Sequence, residues 1–91
     1  MLTFEDCLGL CDLTEEEIDA IAEHENISEL AALELAEYLC HQEDGALRIR
    51  RMIVEDIEAA QKRGDHGHSA KLKHALQHFV ATHSKELGVA T

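Results

Sequence analysis

No proline occurs in this chain, and from Leu13 to Leu87 apolar residues recur at intervals of three and four. Proline breaks helix interiors, while a period near 3.6 aligns apolar side chains along one helical face. Glu, Ala and Leu are abundant, whereas the aromatic residues number one Tyr, two Phe and no Trp. That is the composition of helices packed on helices, and it excludes an all-β fold. Ninety-one residues make a single domain. The expected architecture is all-α: a small four-helix bundle with a short extra N-terminal helical turn.

The expected helices lie at about 3–10, 15–25, 29–44, 46–63 and 67–87. In Leu13-Thr14-Glu15-Glu16-Glu17-Ile18, Thr14 is placed to cap the helix, with Glu17 as its capping-box partner and Leu13 and Ile18 as the hydrophobic staple. Asn26 is suited to end that helix in a left-handed conformation, Ser28 to cap the next, and Gly64 to stop the one after. Asp65 and Ser69 are alternative caps for the last helix. Ala32, Leu33, Leu35, Ala36, Leu39 and Cys40 cover almost half of their helix, which suits contact with two neighbours. In the 46–63 helix, Ile49, Met52, Ile53, Ile57 and Ala60 form an apolar stripe, and Asp56 is expected at its edge. Phe4 and Leu8 are expected to pack a short N-terminal turn against the other helices.

Charge is divided by position. Residues 1–47 carry fourteen acids and no Lys or Arg, whereas residues 48–91 carry five acids and all eight bases, for a net charge of −11. Such a division biases which surfaces approach one another. Arg48, Arg50 and Arg51 head the basic half. Nucleic acid is disfavoured as their partner, since the acidic half would repel a phosphate backbone. The simpler expectation pairs Arg51 with Glu55, and Arg48 or Arg50 with acids of the first two long helices.

His74 and His78 stand four residues apart, so both imidazoles are placed to face one divalent ion such as zinc; the alternative is two solvated histidines. No Glu accompanies them in a His-Glu-x-x-His pattern. Cys7 and Cys11 share the same spacing and, with Cys40 and His41, make a second candidate set for zinc or another transition metal, against which stands cysteine as apolar filler. His83 falls on the apolar stripe of the last helix, where Asp56 is a candidate hydrogen-bond partner in a structural pair. No nucleophile with its base and no phosphate-binding glycine loop is present, so no catalytic residue and no enzyme activity is expected.

The segments Glu34-Leu35-Ala36-Glu37-Tyr38-Leu39, Arg50-Arg51-Met52-Ile53-Val54-Glu55-Asp56-Ile57-Glu58-Ala59-Ala60, Arg63-Gly64-Asp65 and His78-Phe79-Val80 resemble a family of small uncharacterised bacterial (proteobacterial-type) helical proteins. The resemblance implies a cytoplasmic bacterial helical protein and brings no activity, cofactor or functional residue with it. Three cysteines suit a reducing cytoplasm, and no apolar run is long enough to span a bilayer. A chain this small gains stability from association, and its halves are opposed in charge. The functional expectation is a non-catalytic protein–protein interaction module that self-associates as a homodimer or other homo-oligomer, with a metal-binding or metal-responsive protein as the alternative.

Overall fold

A computed structural model describes residues 13–88, and every regular element among them is helical. They are α1 (Glu15–Glu25), α2 (Glu29–Cys40), α3 (Gly45–Lys62), α4 (His66–Thr82) and the single turn α5 (Ser84–Leu87). The turn expected over 3–10 lies outside the described residues. No helix among these residues is long and apolar enough to cross a membrane.

Local chemistry sets most of the helix ends. The Glu17 N–H donates to Thr14 Oγ1 (3.2 Å) and the Thr14 N–H to Glu17 Oε1 (2.9 Å), a complete capping box, while Leu13 and Ile18 are both buried beside it. Asn26 takes φ 56° and ψ 50°, and the Ile27 N–H reaches the Ala22 carbonyl (3.0 Å) to close the helix. Ser28 accepts from the Ala31 N–H (3.1 Å). Gly64, at φ 75°, ends α3 by the same geometry as Asn26, with the Asp65 N–H on the Ala60 carbonyl (2.9 Å). Asp65, rather than Ser69, then caps α4 by accepting from the His68 N–H (3.2 Å). Ser69 is buried one turn inside.

Two helices are shorter than expected. α2 stops at Cys40, and Gly45 is the first residue of α3 rather than a terminator of α2. A Cβ on Gly45 would lie 1.7 Å from the Leu39 carbonyl oxygen, so the α2–α3 corner is closed by backbone against backbone. The final helix breaks at His83. There the Thr82 hydroxyl donates back to the His78 carbonyl (3.0 Å), and His83 Nδ1 lies 3.1 Å from the Phe79 carbonyl. The His83 N–H still reaches the Phe79 carbonyl (2.9 Å), so the ladder holds up to His83 and is interrupted only beyond it.

α3 packs against α1, α2, α4 and α5, and α1 against α2, α3 and α4. Ile18 and Ile21 of α1, Leu33 and Leu39 of α2, Ile49, Ile53 and Ile57 of α3, and Leu72 and Phe79 of α4 meet in one buried cluster. α2 touches α1 and α3, the two neighbours its broad apolar face predicts. One side of α1 therefore lies against both α3 and α4, and that junction carries most of the ionisable chemistry described below.

Candidate functional site

Two features stand out once the core is accounted for: the exposed sides of α2 and α3, and the seams that join α1 to α3 and α4. On α2, Leu30 is 63% and Tyr38 59% exposed, eight residues apart and so on one side of the helix, with Glu34 and Glu37 between them. On α3, Leu47 and Val54 are exposed seven residues apart, flanked by exposed Arg48 and Arg51 and half-buried Arg50. α2 thus carries an apolar stripe with acids beside it, and α3 an apolar stripe with arginines between Leu47 and Val54 and with Glu55 and Glu58 beyond them.

Among the described residues those α2 acids and α3 arginines enter no ion pair. Among the described residues every ion pair within 4 Å takes a histidine as its cation. The expected Arg51–Glu55 pair, and pairs from Arg48 or Arg50 to α1 and α2, are not formed. Glu55 instead receives the His24 Nε2, 2.6 Å away on α1.

The histidine pairs all involve α1. His24 places Nδ1 2.7 Å from Glu25 and Nε2 2.6 Å from Glu55 of α3. His68 of α4 bonds Glu23. His78 of α4 bonds the Glu17 Oε2 (2.9 Å), and Glu17 is fully buried although it also serves the Thr14 cap. His74 Nδ1 lies 3.5 Å from Glu16. Burial works against a charge on His24, but its hydrogen bonds to Glu55 and Glu25 outweigh that, and its pKa lies above the ordinary 6.5.

Asp56 is a correction to the sequence expectation. It is 5% exposed rather than at the stripe's edge, and its Oδ2 is buried with no hydrogen-bond partner among the described residues. Burial, followed by the nearby Glu23 carboxylate, pushes its pKa up to about 6, against the smaller opposing effects of His24 and His68. The anticipated contact with His83 is replaced by these neighbours. The His83 ring stacks on Phe79 at 4.3 Å between centroids.

Of the metal candidates, His74 and His78 do share a face, over a shallow α1–α4 groove lined also by Glu15, Glu16 and Asp19. Cys40 and His41 sit side by side on the exposed end of α2, and Cys7 and Cys11 lie outside the described residues. No three His, Cys, Asp or Glu side chains among the described residues come together in a way that would hold a metal ion. His24 and His68, which sequence reasoning did not single out, are the histidines beside Asp56. Their partners lie 31 and 45 residues away, a distance that no local spacing reveals. Comparison with protein-family models, with curated proteins and with solved structures finds no match to this chain.

Proposed function

We propose that this chain is a non-catalytic protein–protein interaction module of the bacterial cytoplasm, a four-helix bundle that associates with a second copy of itself. One observation carries the reading: Leu30 and Tyr38 on α2, and Leu47 and Val54 on α3, remain exposed beside charges of opposite sign that form no ion pair within the described molecule. An isologous dimer lays the acidic α2 stripe of each copy against the basic α3 stripe of the other, so that every favourable contact occurs twice. Apolar side chains at the centre with complementary charges at the rim are the usual anatomy of such a contact.

Sedimentation equilibrium across a salt series tests this. The expected mass is that of a dimer at low ionic strength, falling towards the monomer as salt screens the rim charges. A mass that stays monomeric from low to high salt overturns the reading.

Transition-metal binding is the second reading, favoured by the placing of His74 and His78 over Glu16. It predicts stoichiometric zinc binding that raises the melting temperature. Zinc affinity left unchanged by alanine at both histidines removes it.

A further inference from the structure

Lysine and arginine keep their charge across the physiological pH range, and histidine does not. It is therefore informative that, among the described residues, the ion pairs joining one helix to another use histidine, and that each has one end on α1. Two of them converge. Around Asp56 on α3 stand Glu23 and His24 from α1, His68 from α4, and Glu55 from its own helix, with Glu25 on the far nitrogen of His24. Lys71 lines the same α1–α4 groove as His68 and Glu23, further along towards Asp19 and Glu16.

We propose that α1 is a pH-gated element: protonated His24 clasps it onto α3 beside the buried Asp56 carboxyl, and loss of that proton loosens it.

The geometry at His24 supplies the first step. Carboxylate oxygens approach both of its ring nitrogens, at 2.7 and 2.6 Å. A neutral imidazole carries one N–H, so only the imidazolium can donate to both. Removing its proton turns one of these contacts into a lone pair facing a carboxylate. Electrostatics supplies the second. The His24 ring bridges the Glu25 and Glu55 carboxylates, with Glu23 and Asp56 nearby, and once that ring is neutral its charge no longer offsets the repulsion between α1 and α3.

The sign follows from linkage. Docked α1 raises the pKa of both His24 and Asp56, so docking takes up protons and weakens as pH rises. The Asp56 contribution is lost between its ordinary 3.8 and about 6, and its charge then remains as a constant penalty. Above 6.5 the fall belongs to histidine. α1 is thus held best in mildly acidic solution and released towards pH 8, and its release uncovers Ile18 and Ile21.

The test is NMR on the full labelled chain at pH 6 and pH 8, reading backbone amide protection corrected for intrinsic exchange, together with the imidazole titrations. Protection in α1 is expected to drop about tenfold at the higher pH, while Ile53 in α3 changes less. The variant His24→Gln should abolish that drop. A control with His41→Gln and His66→Gln, both exposed, should retain it. Protection that is independent of pH, or that falls equally in α1 and α3, overturns the proposal, as does a drop that survives loss of His24. Should that variant fail to fold, the wild-type titration decides: His24 titrating above 6.5 supports the clasp, and at or below 6.5 overturns it.

Discussion

Glu17 shows how much a single residue can carry in a small helical protein. Its carboxylate is fully buried, yet each oxygen has a donor: the Thr14 N–H for one and His78 Nδ1 for the other. A buried carboxylate survives only when its lone pairs are met, and removing one donor leaves the desolvation cost in place. His78→Ala should therefore lower stability by about 1–3 kcal/mol, read from urea unfolding, although the ring it removes is itself half exposed. The same change at His74, whose contact with Glu16 is 3.5 Å and exposed, should cost less than about 0.5 kcal/mol. Equal costs at the two sites would show that Glu17 does not depend on α4. The sequence marks Glu17 as a capping residue, because that role is local. Its burial against His78, like the burial of Asp56 beside His24 and His68, depends on residues from other helices, and no helical period reveals such partners.

At the level of the helices, what was legible follows the range of the interaction responsible. Thr14, Asn26, Ser28 and Gly64 act on residues within one turn, and each does what its sequence context predicts. The α2–α3 corner was read differently. Glycine after an apolar helix suggests a stop, but Gly45 opens the following helix because the Leu39 carbonyl occupies the space where a side chain would begin. Gly45→Ala has no way to relieve a 1.7 Å approach between backbones except by moving α3 away from α2. A loss of about 3 kcal/mol is expected from thermal or urea unfolding, despite the gain in helix propensity. Unchanged or higher stability would mean that the corner relaxes freely. The break at His83 is marked by no glycine or proline, and the backbone ladder holds as far as the His83 N–H on the Phe79 carbonyl. Period alone predicts one helix to Leu87.

For the molecule as a whole, the charge division in the sequence has two destinations. Part of the acidity of the first half is met inside, by histidines that reach Glu17 and Glu23 of α1 from α4. The arginines of α3 and the glutamates of α2 remain outside, beside the exposed apolar stripes, and these make charge reversal an informative probe of self-association. Arg51→Glu places a carboxylate within the basic stripe, and in a two-fold contact the resulting repulsion occurs twice. Dimer affinity should fall about 5- to 30-fold, corresponding to about 1–2 kcal/mol over two sites. Glu34→Lys should do the same from the opposite stripe. Combined in one chain, the two reversals exchange the signs of both stripes at facing positions, and association should recover most of its loss. Recovery in the double variant separates a direct α2-to-α3 contact from a general effect of net charge, since that variant has the wild-type charge of −11 while each single change shifts it by two units in opposite directions. If affinity merely followed net charge, Glu34→Lys would strengthen association and Arg51→Glu would weaken it; if both singles weaken it and the pair restores it, the stripes meet.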